Sequence, residues 1–158
     1  MDRAPITREG RERLREELAK LKRADRPNII KEIAEARAQG DLSENAEYHA
    51  ARERQGMIEA KIRDLETKLA SCEIVDVPKG PISRVCIGCH LKIEDLDTGD
   101  VKEFQLVGPY EADIDRGLIS VSSPLGRALI GKTKEDDVTV VGPANTKEYE
   151  ILSIESRA

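Results

Sequence analysis

Apolar positions follow two different periods along the chain, and the change between them falls near Asp76. Leu14, Leu18 and Leu21 are spaced four and three apart, the interval that keeps side chains on one helix face. After Pro27 the stripe resumes with Ile29, Ile30 and Ile33. A second stripe, Ala51, Gln55, Ile58, Ile62, Leu65 and Leu69, runs 4-3-4-3-4, a coiled-coil seam with one polar position. Between the stripes, Gly40 suits a left-handed position after a helix, and Asp41 or Ser43 can cap the next one. Residues 1–76 are therefore expected to form an antiparallel α-helical coiled-coil hairpin. Two helices of about 30 residues make a rod of roughly 45 Å at 1.5 Å per residue. Pro27 removes a backbone donor and is expected to bend the first helix.

Beyond Asp76 the period shortens to two. Val85, Ile87, Cys89, Leu91 and Ile93 alternate, predicting one strand over 84–94. Asp97-Thr98-Gly99-Asp100 signals a hairpin turn, and residues 101–107 return. Residues 117–123 continue the strand pattern. A short helix over 124–130 follows, with Ser123 as cap and Pro124 at its first position. Residues 138–141 and 149–154 close a small antiparallel sheet. With Lys79-Gly80-Pro81 as linker, residues 77–158 are expected to form a compact α+β domain beside an all-α one.

Composition narrows the chemistry. Aromatics make up 3% of the 158 residues, with no Trp and one Phe, which argues against an aromatic-lined ligand pocket. No apolar run approaches the ~20 residues of a transmembrane helix, and the first ten residues lack a signal peptide's apolar core. Three cysteines are too few for a disulfide framework, and an odd count suits a reducing cytosol. The net charge of −5 divides as −1 over residues 1–76 and −4 over 77–158. Nucleic acid would then be met locally, or by way of a partner, rather than through a basic surface.

Candidate chemistry gathers between the helical stripes. Asp41 and Glu44 fit a D-x-x-E capping box, which needs nothing beyond a helix start. Alternatively, two carboxylates at the end of a long rod can be carried into a distant site to help hold a divalent cation. Arg37 and Arg52 lie on opposite helices at similar distances from Gly40 and could form one basic spot; the alternative is pairing with Glu35, Glu47 or Glu53. Tyr48 and His49 are best read as packing where the hairpin turns. Cys86-x-x-Cys89-His90 resembles a haem-attachment string, but in a continuous strand residues three apart face opposite sides. Both cysteines are accordingly read as ordinary strand residues, with no metal held by the free protein.

The run from Arg26-Pro27-Asn28-Ile29-Ile30 through Gly40-Asp41-Leu42-Ser43-Glu44-Asn45-Ala46-Glu47-Tyr48 to Gln55-Gly56 closely resembles the bacterial Gre transcript-cleavage factors, nearest their GreA branch. The resemblance continues in Ile74-Val75-Asp76, Leu118-Ile119-Ser120-Val121 and Ser123-Pro124-Leu125-Gly126-Arg127-Ala128-Leu129-Ile130. It implies an FKBP-like C-terminal domain docked on RNA polymerase, with the coiled coil inside the secondary channel. It further implies that Asp41 and Glu44 assist the Mg²⁺ of the polymerase active site, so that the polymerase cleaves the 3′ segment of backtracked nascent RNA. Arg37 and Arg52 would contact that RNA, Gly40, Asn45 and Tyr48 would support the tip, and Ser122, Ser123 and Pro124 would belong to the docking surface. The protein would be a cytoplasmic, monomeric cofactor of the polymerase, with no cofactor of its own, no membrane partner and no stand-alone activity. Two rival readings are a channel-plugging inhibitor of the same family and a coiled-coil adaptor. The intact 40–48 segment disfavours the first, and the clustering of distinctive residues at the tip disfavours the second. Prolyl isomerisation is disfavoured because Phe104, Tyr110 and Tyr149 are too few for its cleft.

Overall fold

A computed structural model describes residues 3–40 and 45–157. The chain forms two compact units, one of Glu12–Ser71 and one joining the residues up to Arg11 with those from Cys72 onward. The helical unit is thus shorter at both ends than the 1–76 domain read from periodicity. The reason is a pair of strands, β1 (Ala4–Ile6) and β2 (Cys72–Ile74), hydrogen-bonded in parallel with Ile6 fully buried. Three residues are too few to show a period of two.

In the helical unit, α1 (Arg8–Lys20) passes through a π turn over Leu21–Asp25 into α2 (Arg26–Arg37), and α3 is Ala46–Ser71. Pro27 sits in the first turn of α2, where its missing N–H costs least. The expected bend takes the form of the wider turn just before it, in which the Arg26 N–H donates to the Leu21 carbonyl, five residues back. Ile29 and Ile33 pack on Ala51, with Tyr48 and Ile58 at the margin. Ile62 and Leu65 are buried further along α3. Ile30 does not join the stripe: one residue on from Ile29 it is turned outward and 52% exposed. Ion pairs fix the antiparallel register, at Lys22–Glu66 (3.4 Å), Arg26–Glu59 (2.8 Å) and Arg54–Glu32 (2.8 Å). Partly exposed pairs of this kind contribute roughly 0–1 kcal/mol each, so the apolar seam holds the helices together.

The second unit is built on a five-stranded sheet of β3 (His90–Asp95), β4 (Val101–Val107), β5 (Leu118–Ser120), β6 (Asp137–Val141) and β7 (Thr146–Glu155), in the order β5-β4-β3-β7-β6. The expected all-antiparallel sheet is mixed, because β5 runs parallel to β4. The chain crosses between them through a 3₁₀ turn, Ile114–Arg116, that ends at left-handed Gly117 (φ 70°). Helix α4 (Pro124–Leu129) has the predicted start: the Ser123 hydroxyl oxygen accepts from the Gly126 N–H, and Pro124 opens the helix. Leu129 inserts into a core with Val85, Cys89, Leu91, Ile93, Phe104, Leu106, Val138, Tyr149 and Ile151.

The strand predicted over 84–94 begins only at His90. Residues 86–89 form a tight turn closed by the Cys89 N–H on the Cys86 carbonyl (3.3 Å), with Gly88 at φ 87°. Alternation of Val85, Ile87 and Cys89 imitates a strand, but the positive φ of Gly88 breaks it. In the same unit Thr7 caps α1, its hydroxyl oxygen accepting from the Gly10 N–H (3.1 Å). The buried Glu111 carboxylate accepts from the Thr7 N–H (2.7 Å), the Thr7 hydroxyl and the Gly108 N–H (3.1 Å).

Candidate functional site

The turn between α2 and α3 is held by one side chain. The Asn45 amide nitrogen donates to the Ala36 carbonyl in the last turn of α2 (2.7 Å), and its amide oxygen accepts from the Tyr48 N–H in the first turn of α3 (3.0 Å). Helix ends leave backbone groups without intrahelical partners, and Asn45 satisfies one on each helix. The Asn45 side chain therefore caps α3, while the candidate caps Asp41 and Ser43 lie outside the described residues. The Gln39 N–H also donates to the Ala36 carbonyl (3.2 Å), and Gly40 leaves the helix at φ 122°. Among the described residues a Cβ on Gly40 would meet nothing within 4 Å, and the positive φ is what favours glycine there. Asp41 and Glu44 lie outside the described residues.

Two faces diverge from this turn. On one, the Arg37 guanidinium lies 5.8 Å from the centre of the half-buried Tyr48 ring, a cation–π contact. His49 meets the same ring edge-on at 5.5 Å. Arg52 is exposed one helical turn beyond Tyr48, on the Tyr48 side of α3. The structure thus brings Arg37 onto Tyr48, and i to i+4 spacing sets Arg52 on the same face of α3, which together define a basic and aromatic strip. Among the described residues, neither arginine pairs with Glu35, Glu47 or Glu53. The other face is an open groove lined by Glu32, Glu35, Gln39, Glu47 and Arg54. The packing expected of Tyr48 is present, since it covers the Ile29–Ile33–Ala51 cluster.

The Ser122-Ser123-Pro124 segment lies in the other unit. Ser122 and Pro124 are exposed, whereas Ser123 is occupied internally, donating to the Ser120 carbonyl (2.6 Å) while it caps α4. Beside it is an apolar groove lined by Ile114, Leu118, Ile119, Ser120 and Ser123. Ile114 is 82% exposed. Sequence reasoning missed it, although an isoleucine between two aspartates in a turn is a legible signal of apolar surface left outside a core. Phe104 and Tyr149 are buried in the sheet core. Among the described residues, no group of three or more His, Cys, Asp or Glu side chains is placed to hold a metal ion, and no helix is long and apolar enough to cross a membrane.

Comparison with known proteins matches both units. Residues 4–74 fit the family model described as transcription elongation factor, N-terminal, and residues 79–156 the one described as transcription elongation factor, GreA/GreB, C-term. Transcription elongation factor GreA of Thermodesulfovibrio yellowstonii is 54% identical over 153 residues, covering 97% of each chain. The protein of the same name from Methylococcus capsulatus is 53% identical over 155 residues, 98% of each. Among solved structures, GreA factor homolog 1 of Thermus thermophilus is 27% identical, covers 98% of this chain and 99% of its own, and superposes with a TM-score of 0.43. That superposition is loose, and the family rests on the sequence matches.

Proposed function

The chain belongs to the GreA/GreB family of transcription elongation factors, and from that membership we propose that it binds bacterial RNA polymerase and stimulates cleavage of backtracked nascent RNA at the polymerase's own active site. In this reading the helical unit is a coiled-coil hairpin that enters the secondary channel, and the sheet unit is an FKBP-like domain that docks on the rim. The protein works as a monomer in the cytoplasm, and the hydrolytic chemistry belongs to the polymerase.

Asp41 and Glu44 would present carboxylate oxygens beside the attacking water. Hard anionic oxygen donors suit Mg²⁺, which is commonly held by one or two carboxylates together with substrate phosphates. The polymerase's Mg²⁺ would supply the chemistry, lowering the pKa of a water so that it can attack a phosphodiester. Asn45 pins the ends of α2 and α3 together and so limits where the intervening residues can be presented. Arg37 and Arg52 would take phosphates of the RNA 3′ segment, and Tyr48 offers a ring face between them. A few local cations can position a backbone without a basic protein overall. Ser122, Pro124 and the neighbouring Ile114 would belong to the docking surface.

One observation carries this reading: the family models span both units, and relatives named transcription elongation factor GreA are more than 50% identical over at least 97% of the chain. The test is a polymerase elongation complex halted in a backtracked state, given the protein and Mg²⁺, and assayed for short 3′ RNA fragments. D41A and E44A should each nearly abolish the fragments while polymerase binding persists. Binding lost in step with cleavage would make the two carboxylates structural, and elongation blocked without fragments would mark an inhibitor.

A further inference from the structure

We propose that Cys86 and Cys89 are a dithiol site that closes reversibly to an intramolecular disulfide, by exchange with a low-molecular-weight disulfide. The function of the helical hairpin leaves these residues unused, and the inference does not depend on that function. The turn places them correctly. Its first and fourth residues are the two cysteines, joined by the Cys89 N–H on the Cys86 carbonyl at 3.3 Å. A β-turn brings those Cα atoms within about 7 Å of each other, and a disulfide spans roughly 4.4–6.8 Å.

The turn itself is well anchored. The Gly88 N–H donates to the Leu106 carbonyl (2.5 Å), the Gly88 carbonyl accepts from the Gln105 side chain (3.1 Å), and the Leu106 N–H donates to the Cys89 carbonyl (3.0 Å). A Cβ on Gly88 would lie 2.1 Å from Val77, so the turn also has no room to open on that side. The backbone that carries the two cysteines is thus held in a fixed turn.

The two thiols are not equivalent, and this assigns their roles. Cys86 is half-exposed, whereas Cys89 is fully buried in the sheet core. Burial pushes the Cys89 thiol up to about 11. Burial also raises Cys86, which the neighbouring Cys89 side chain partly opposes. Cys86 is therefore the attacking sulfur. Its thiolate displaces one thiolate from the incoming disulfide and forms a mixed disulfide. Cys89 then loses its proton and attacks the Cys86 sulfur, expelling the second thiolate. The dithiol is oxidised by two electrons, and the incoming disulfide is reduced to two thiols. Raised thiol pKa values make this exchange slow, which suits a site that responds to sustained rather than brief oxidation.

The test uses the full-length protein equilibrated with oxidised and reduced glutathione in varied ratio, then acid-quenched, alkylated and peptide-mapped by mass spectrometry. Increasing oxidation should remove two alkylation sites together, yield a Cys86–Cys89 linked peptide, and leave Cys72 alkylated. In C89A the same treatment should leave a lasting glutathione adduct on Cys86, and in C86A neither bridge nor adduct should form. Because the native protein carries the primary readout, a variant that fails to fold does not blunt the test. Three outcomes would overturn the proposal: both thiols still alkylated in oxidised glutathione alone, a persistent adduct on Cys86 of the native protein, or stoichiometric zinc bound to the reduced protein.

Discussion

Replacing Asn45 removes two hydrogen bonds on two helices, and the two losses can be measured apart. In Asn45→Ala the Tyr48 N–H loses its cap acceptor, worth about 1 kcal/mol, and the Ala36 carbonyl loses a donor, worth about another 1 kcal/mol. Together they should raise the local opening constant at the turn about thirtyfold, at roughly 1.4 kcal/mol per decade. Asn45→Asp keeps an oxygen acceptor for Tyr48 but removes the amide donor, and it sets a negative charge against the carbonyl end of α2, which is unfavourable by about 0.3–1 kcal/mol. Amide hydrogen exchange resolved by NMR separates these effects. The Tyr48 and His49 amides should exchange tens of times faster in the alanine variant and near the native rate in the aspartate variant. Gln39, whose N–H shares the Ala36 carbonyl, should change in both. RNA cleavage should fall in the same order, with polymerase affinity unchanged. If Asn45→Asp accelerates Tyr48 exchange as much as Asn45→Ala does, the double-cap reasoning is wrong.

Asp95 gives a pH signature. Its carboxylate accepts from the backbone N–H groups of Asp97 (2.9 Å) and Thr98 (3.3 Å), first of all the Asp97 bond, and these hold it below the usual carboxylate range. That contribution is present above the unfolded value of about 3.9 and is lost as pH falls through the lower folded value; native protein should therefore lose urea resistance faster than D95N below about pH 4, and parallel curves would refute it. Arm length offers a separate test of the delivery role: deleting one heptad between Leu14 and Leu21 and its partner between Ile62 and Leu69 shortens the hairpin by about 10 Å. The shortened protein should bind polymerase but yield no RNA fragments, whereas native cleavage would rule out delivery of Asp41 and Glu44 to the active site.

Periodicity found what periodicity can carry. Ile29, Ile33, Ala51, Ile62 and Leu65 are buried along the stripes that identified them, and Ser123 with Pro124 starts α4 as their order implied. Strands β1 and β2 escaped because each is three residues long and finds its partner more than sixty residues away, information no local window contains. Residues 84–89 misled for the opposite reason: their alternation is genuine, yet one glycine at positive φ turns a strand pattern into a turn. At the site, motif reading singled out Gly40, Asn45 and Tyr48 without showing how they act. The D-x-x-E pattern offered Asp41 as a cap, a position outside the described residues, and gave no sign of the Asn45 cap, whose second bond reaches back nine residues to the other helix.

The π turn has a rotational consequence for that other helix. Leu21 and Ile29 are eight residues apart and both buried. Eight residues of unbroken α-helix would overshoot two full turns by about 80°. The π turn absorbs one residue, so the interval behaves as seven, about 20° from two turns, and the stripe stays in phase. Leu21–Asp25 is in this sense a clocking element, which sets the angle at which everything after it emerges. One residue added to or removed from it would rotate α2 by about 100° about its own axis, forcing either the seam with α3 out of register or Arg37 away from Tyr48. The aim of the basic strip is thus decided by five residues some three turns away from it, none of which belongs to the strip.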